Sequence, residues 1–202
     1  MKKTKVLVLG NDPQINSIDF DRLDPSIITL GVNRIWLKYL PNYFFFHDWD
    51  IVTELNNKPE TLAKLITTSK IFSSDWYRYY KKPIPTWVDL KERPNAQKRA
   101  FPDSITTSMW IFKNYYTQHL SCEYYIAGVS LKWQEPSHFW KTEPNYISKN
   151  KFGERWYSSR FLKTLNNFKT LHSSGYKMIS VNENSLLNKI MRYQSMDTLY
   201  LH

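Results

Sequence analysis

The chain has 202 residues, enough for one well-cored domain and too few for two ordinary ones. Its 28 lysines and arginines exceed its 18 aspartates and glutamates by 10, which favours polyanionic partners such as nucleic acid, anionic glycans or a lipid surface over an inert basic surface. The single cysteine excludes an internal disulfide, and no apolar run reaches the ~18 residues of a membrane span, so we expect a cytoplasmic protein without a transmembrane segment.

Short apolar runs rich in β-branched or aromatic residues recur along the chain, separated by turns or by amphipathic segments. Runs of this kind predict buried strands. The predicted strands cover residues 6–9, 27–32, 43–46, 70–72, 123–129 and 176–180.

Segments with apolar residues at the helical period lie between these strands. The predicted helices begin at Pro59, at Ser104 or Thr107, at Ser158 or Ser159, and at Asn182. Strands and helices that alternate over the whole chain predict one α/β domain, residues 1–202, with a doubly wound and mainly parallel sheet. Ligands of such sheets collect at the carboxyl ends of the strands.

Two stretches interrupt the alternation, at about 75–103 and 131–154. Both are rich in aromatic residues and cations, and the first carries seven cations against two acids between Trp76 and Phe101. Long insertions in compact domains are commonly functional. We therefore expect inserted lids or acceptor-binding loops.

Polar residues directly follow four of the predicted strands. The four turns are Gly10-Asn11-Asp12, Gly31-Val32-Asn33-Arg34, His47-Asp48-Trp49-Asp50 and Gly128-Val129-Ser130. Glycine permits a ligand to approach the backbone, and asparagine can donate to and accept from a sugar hydroxyl or a phosphate. The Walker loop, the complete dinucleotide fingerprint and the G-x-S-x-G hydrolase elbow are all absent from the sequence.

The turn from His47 to Asp50 carries the densest set of reactive side chains, and three interpretations of it stay open. It can cap a helix with favourable negative charge, supply a general base or substrate-binding group, or hold a metal. A metal site needs a second cluster of ligands, and the sequence has none at a suitable spacing. We therefore predict no metal.

The order of the motifs resembles that of the bacterial sialyltransferases of glycosyltransferase family 42. The family's Gly-Asn-Gly-Pro-Ser-Leu, Ile-Thr-Ser-Gly and Asn-Ser-Leu-Leu are matched by Gly10-Asn11-Asp12-Pro13-Gln14-Ile15, Ile105-Thr106-Thr107-Ser108 and Asn184-Ser185-Leu186-Leu187. Its strand-end motifs are matched by Gly31-Val32-Asn33, Phe46-His47-Asp48 and Ala127-Gly128-Val129-Ser130. The resemblance covers nearly the whole chain.

This resemblance implies one Rossmann-like domain of the GT-A type that binds a nucleotide sugar as its donor substrate and needs no cofactor. The candidate donor-binding residues are Gly10, Asn11, Asn33, Thr106, Thr107 and Gly128. The family's catalytic histidine is missing, since counting back from Ser185 leads to Ser158. We therefore expect a carboxylate to act as base in an inverting displacement, with Asp48 and Asp50 as the candidate catalytic residues.

The resemblance and the basic charge together favour a phage-type enzyme of the host cytoplasm that glycosylates a hydroxymethylated base in DNA. A DNA acceptor requires cations for its phosphates, and a flipped base requires aromatic walls. The candidate nucleic-acid-binding residues are Lys81, Lys82, Arg93, Lys98, Arg99, Trp76 and Trp133. The alternatives are a sialyltransferase-like enzyme that builds a cell-surface oligosaccharide, and a non-catalytic module that binds nucleotide sugars or nucleic acid.

Overall fold

A computed structural model of the protein describes residues 3–74, 83–101, 103–132, 139 and 153–201, with the backbone alone at 99–100 and 153–158. The strands are β1 (Thr4–Leu9), β2 (Ile28–Val32), β3 (Tyr43–Phe45), β4 (Lys70–Ser73), β5 (Asp89–Leu90), β6 (Cys122–Ala127), β7 (Lys177–Ser180) and β8 (Arg192–Tyr193). The helices are α1 (Trp49–Asn56), α2 (Pro59–Thr68), α3 (Asn95–Ala100), α4 (Ser104–Ile111) and α5 (Gly153–Ser173).

All eight strands lie in one sheet, and each pair of neighbouring strands is parallel. Their order is β5-β4-β3-β2-β1-β6-β7-β8. The chain therefore starts in the middle of the sheet, moves outward to β5, and returns on the other side of β1 as β6. The predicted α/β, Rossmann-like, doubly wound sheet is confirmed, and its order reverses beside β1, where such folds bind ligands.

Alternate residues of the strands pack against helices on opposite faces of the sheet. Leu7 and Leu9 of β1 belong to the core that also holds the buried side chains of α1 and α2. Val6 and Val8 belong to the second core, which holds those of α4 and α5. Because both faces are covered, the central strand is a continuous apolar run, as the sequence pattern indicated.

Each predicted strand lies within two residues of an observed one, whereas several helices differ from the prediction. The helix expected from Asn182 is a single 3₁₀ turn, Leu186–Lys189, because the Ser185 side chain caps it. Helix α5 begins at Gly153, five residues before Ser158. Helix α4 continues after Ile111 as a π-helical turn, Phe112–Tyr116.

The described part of the first predicted insertion continues the alternation. Strand β5 pairs with β4, and α3 follows it, so residues 89–100 contribute an edge strand and a helix. Most of the second predicted insertion lies outside the described residues. Within it, Phe139 is buried, and its backbone N–H donates to the Asn11 carbonyl at 3.0 Å. Across the described ranges, none of the helices is long and apolar enough to cross a membrane.

Candidate functional site

A cleft of about 590 Å³ opens at the carboxyl ends of β1, β2, β3 and β6. The strand ends contribute Gly10, Asn11, Val32, Asn33, His47, Asp48, Gly128 and Val129. The facing wall consists of Asp103, Ser104, Ile105, Leu131, Arg160, Phe161, Lys163, Thr164 and Asn167. The volume is that of an ordinary small-molecule site, and the position beside β1 is the ligand crevice of this fold class.

A second concavity, of about 510 Å³, lies at the opposite end of the sheet. It includes Glu123 and Lys177, which stand at the start of β6 and β7. Doubly wound sheets bind ligands at the carboxyl ends of their strands. The cleft beside β1 is therefore the candidate site.

Backbone atoms form the floor of the cleft. The ends of β1 and β6 approach each other so closely that no side chain fits between them. A Cβ atom on Gly10 would lie 2.3 Å from the Gly128 carbonyl oxygen. Gly128 has φ +66°, and a Cβ atom there would lie 2.6 Å from Cδ1 of Ile15. Both predicted donor-binding glycines thus line the cleft, and their lack of a side chain is also required by packing.

Two side chains of the first turn hold the two strand ends in this arrangement. The Asp12 carboxylate accepts a hydrogen bond from the Ser130 backbone N–H at 2.6 Å, and the Gln14 side-chain oxygen accepts one from the Gly128 N–H at 2.8 Å. Desolvation raises the pKa of Asp12, and its bonds to Ser130 oppose the rise. The loop after β1 therefore fixes the loop after β6.

Asn11 and Asn33 line the cleft with amide groups that the fold does not satisfy. The Oδ1 atom of each is buried and accepts no hydrogen bond from the described residues. Asn33 also has φ 53°, a left-handed conformation that asparagine tolerates better than most residues. By contrast, the Asn42 oxygen accepts from both the N–H and the hydroxyl of Thr29, at 2.8 and 2.9 Å. A buried acceptor without a donor is costly, which points to a ligand or water that supplies one.

His47 and Asp48 stand at the end of β3 and line the cleft. The Nε2 atom of His47 lies 3.3 Å from the Ser74 hydroxyl oxygen, and its ring packs edge-on against Phe45 at 4.8 Å. Asp48 is exposed and occupies the N-cap position of α1 without a side-chain capping bond. Desolvation raises the pKa of Asp48, Arg34 opposes the rise, and Asp50 adds to it.

Asp50, the other predicted catalytic residue, lies outside the cleft. It is an exposed residue in the first turn of α1, where a negative charge suits the helix dipole. The negative charge near the helix terminus that the capping interpretation predicts is present at Asp50, whereas His47 and Asp48 line the cleft.

Thr106 and Thr107 do not reach the cleft, although the resemblance placed them against the donor. Both are fully buried: the Thr106 hydroxyl donates to the Asp103 carboxylate at 2.6 Å, and the Thr107 hydroxyl donates to the Phe101 carbonyl at 2.5 Å. Helix α4 is capped by Asp103 and begins at Ser104, the first of the two predicted starts, and both threonine hydroxyls are bonded within the fold. Asp103, Ser104 and Ile105 line the cleft instead.

Helix α5 supplies a wall that the sequence analysis missed. Arg160, Lys163, Thr164 and Asn167 line the cleft, at the spacing of three and four residues that marks one helical face. The spacing of these four residues was visible in the sequence, but the part of the fold that this helical face packs against was not. The Asn167 amide donates to the Asp103 carboxylate at 2.6 Å and so joins α5 to the start of α4. The cleft thus gains two cations from α5.

Arg93 does not belong to a nucleic-acid-binding surface. It is only 6% exposed, and its Nη1 atom donates to the Phe101 carbonyl at 2.7 Å and to the Thr107 hydroxyl at 3.0 Å. Burial with these acceptors makes it a structural residue between α3 and α4. Lys98 is partly exposed on α3. The other candidates, Trp76, Lys81, Lys82 and Trp133, lie outside the described residues, as does the side chain of Arg99.

The donor set of the cleft does not suit a metal ion. Within the described ranges, three or more histidine, cysteine, aspartate or glutamate side chains nowhere come together in a group that could hold one. Among the residues that the structure describes, His47 and Asp48 therefore lack the further ligands that a metal site would need.

Comparisons with known proteins show which fold this is. No protein-family model and no curated protein matches the sequence. The monofunctional α-2,3-sialyltransferase Cst-I of Campylobacter jejuni matches with a TM-score of 0.55 at 12% identity, over 99% of this chain and 83% of that chain. The sialyltransferase CST-II in complex with a trisaccharide acceptor and CMP matches with 0.51 at 15%, over 93% and 85%. The protein therefore has the fold of bacterial sialyltransferases, and the predicted resemblance is confirmed.

Proposed function

We propose that the protein is a glycosyltransferase that moves a sugar from a nucleotide donor to a hydroxyl group of a glycan. A solved sialyltransferase of this fold holds CMP and a trisaccharide acceptor, so a CMP-linked sugar and an oligosaccharide are the expected substrates. This is the glycan-building alternative of the sequence analysis. The DNA acceptor was inferred from the resemblance combined with the surplus of positive charge and the aromatic residues, and the buried Arg93 no longer supports it.

The observation that carries the proposal is the pair of unsatisfied amides at the ends of β1 and β2. Asn11 and Asn33 line the same cleft, and the described residues offer no donor to either Oδ1 atom. Hydroxyl groups of a ribose or a sugar can supply such donors, and they can also accept from the amide nitrogens. Two buried amide oxygens without a donor among the described residues, at the ligand crevice of a sialyltransferase fold, support binding of a nucleotide sugar.

The charges of the cleft fit a donor that leaves as a nucleotide phosphate. Arg160 and Lys163 lie on the cleft face of α5. Negative charge develops on the phosphate oxygen as its bond to the sugar breaks, and cations placed there stabilise the transition state. We propose that these two side chains act in place of a metal ion, so the transfer proceeds in the presence of EDTA.

The acceptor hydroxyl attacks the anomeric carbon from the side opposite the nucleotide, so a single displacement inverts the configuration there. The attack requires a group that accepts the hydroxyl proton. His47, Asp48 and Asp103 are the titratable residues of the cleft whose basic form can accept a proton near neutral pH. Asp103 already accepts bonds from the Thr106 N–H, the Thr106 hydroxyl and Asn167, which leaves His47 and Asp48.

A thermal-shift screen followed by a transfer assay tests the proposal. We expect CMP and one CMP-linked sugar to raise the melting temperature, since a ligand at 100 times its dissociation constant stabilises by ~2.7 kcal/mol, or roughly 5–10 °C. The transfer assay then compares an oligosaccharide, hydroxymethylated DNA and ordinary DNA as acceptors. If no nucleotide or nucleotide sugar shifts the melting temperature, the proposed function is wrong. Sugar transfer to DNA alone would restore the DNA acceptor.

A further inference from the structure

We propose that His47 is the catalytic base of this transfer, an inference that rests on the proposed function. The acceptor oxygen forms a bond to the anomeric carbon while the bond from that carbon to the phosphate oxygen breaks. The electron pair of the broken bond leaves with the nucleotide phosphate. The proton of the acceptor hydroxyl passes to the imidazole, which releases it to solvent before the next turnover.

The position of His47 suits this role. It lies at the carboxyl end of β3 and lines the same cleft as Asn11, Asn33 and the cations of α5. An acceptor must approach the anomeric carbon from the side away from the phosphate. If the phosphate lies against Arg160 and Lys163 of α5, the strand ends form the rest of the lining, and His47 stands at one of them.

The imidazole is also held in place, as a catalytic base must be. Its ring packs against Phe45 with an interplanar angle of 70°, and Nε2 lies 3.3 Å from the hydroxyl of Ser74, which is fully buried after β4. When Nε2–H donates to this hydroxyl, the neutral ring is the tautomer with a lone pair on Nδ1. Either neutral tautomer keeps a lone pair on one ring nitrogen, which proton acceptance requires, so the Ser74 contact serves to hold the ring in position.

Asp48 is the competing base, and two observations disfavour it. Asp48 is an exposed residue whose side chain makes no capping bond at its helix terminus, so its orientation is less defined than that of His47. Desolvation is the largest influence on Asp48 and raises its pKa, but the charges of Arg34 and Arg160 oppose the rise and weaken the carboxylate as a base. Its negative charge can instead balance these two cations and a protonated His47. An imidazole, by contrast, has an unperturbed pKa of ~6.5, close to neutral pH, where a general base is most effective.

The decisive experiment compares four proteins: wild type, His47→Gln, Asp48→Asn and His172→Gln. His172 is the matched control, because it is an exposed histidine in the last turn of α5 and does not line the cleft. Turnover of the nucleotide sugar that the wild type uses best is measured from about pH 5 to about pH 9, with CMP binding measured in parallel. The other charged groups of the cleft whose titration must be separated from that of His47 are Asp48, Asp103, Arg160 and Lys163.

We expect kcat of His47→Gln to fall by ~10²- to 10⁴-fold while CMP binding stays unchanged, since only the proton acceptor is lost. The acid limb of the wild-type profile should vanish in this variant and persist in Asp48→Asn and His172→Gln. A His47→Gln protein that keeps more than about a tenth of the wild-type rate overturns the assignment, as does an acid limb that vanishes in Asp48→Asn.

Two further results keep the inference testable. If His47→Gln does not fold, the wild-type profile alone decides, because a rate that is flat between about pH 5.5 and about pH 7.5 excludes an imidazole base. A wild-type protein that binds CMP and transfers no sugar overturns both proposals. A wild-type protein that transfers sugar, with a His47→Gln variant equally active, overturns only the assignment of the base.

Discussion

Replacing Asn11 by alanine separates ligand binding from stability, and Asn42→Ala is its matched control. Both residues are asparagines that flank the end of a strand: Asn11 follows β1, and Asn42 precedes β3. The Asn11 Oδ1 atom has no donor within the described residues, whereas the Asn42 Oδ1 atom accepts two hydrogen bonds from Thr29. The Asn11 side-chain oxygen can therefore accept a hydrogen bond from a ligand, whereas the Asn42 side-chain oxygen stabilises the fold.

The expected magnitudes follow from these contacts. Asn11→Ala removes an unsatisfied acceptor, whose burial costs ~1–3 kcal/mol, so the free energy of unfolding should stay unchanged or rise. The lost hydrogen bond to the ligand, ~0.5–1.5 kcal/mol, should weaken CMP binding by roughly 2- to 13-fold. Asn42→Ala leaves the Thr29 N–H, in a residue only 2% exposed, without its acceptor. It should cost ~1–3 kcal/mol and leave CMP binding intact.

Urea unfolding gives the stability of both variants, and titration with CMP gives their affinities. A domain of this size should lose roughly 4–8 °C of melting temperature for a 2 kcal/mol defect, so a thermal scan serves as a cross-check. If Asn11→Ala destabilises the protein as much as Asn42→Ala does, while its CMP affinity is unchanged, the Asn11 amide is structural and the argument for the cleft fails.

Three further predictions concern charge. Lys163→Glu should weaken CMP binding at least tenfold in low salt. Lys169→Glu, on the same helix but outside the cleft, should leave CMP binding unchanged. Equal losses of CMP affinity in the two variants would exclude a specific contact between Lys163 and the phosphate. Arg93→Ala should lower the free energy of unfolding by ~2–4 kcal/mol in urea without changing retention on DNA, and weaker retention would return Arg93 to a nucleic-acid surface. Desolvation opposes ionisation of Asp89, but hydrogen bonds from two lysines and a tyrosine lower its pKa in the folded protein. The ionised carboxylate therefore stabilises the fold above its unfolded pKa, and this stabilisation is lost as the pH falls through the folded pKa. The free energy of unfolding of Asp89→Asn should depend less on pH than that of the wild type below about pH 5. An unchanged acid slope would contradict this reasoning.

The sheet was predictable because its signals are local. The run from Val6 to Leu9 is apolar at every position. A continuous apolar run of this length is typical of a strand that is covered on both faces. The polar residues after the strands were predictable as a group for a similar reason, since the carboxyl ends of parallel strands share one edge of a sheet. Asn11, Asn33, His47 and Asp48 therefore meet in the cleft as expected.

The remaining parts of the site depend on tertiary contacts that a single sequence does not display. The cleft face of α5 follows the helical period, but the bond between Asn167 and Asp103 decides where that face points. Thr106 and Thr107 are buried because their hydroxyls bond to Asp103 and Phe101, partners that the sequence motif does not reveal. Nothing in the sequence distinguishes Arg93 from the other cations around it. Its burial depends on hydrogen-bond acceptors that only the folded structure brings together.

Asn167 and Asp103 join the two helices that line the cleft by a side-chain hydrogen bond. Neither residue belongs to the stretch that connects β6 to α5. Phe139 does belong to that stretch, and it contacts the other part of the cleft, because its backbone N–H donates to the Asn11 carbonyl. Substitutions at Asn167 should therefore change the spacing of the helices, and substitutions of the buried Phe139 should disturb the strand end that carries Asn11.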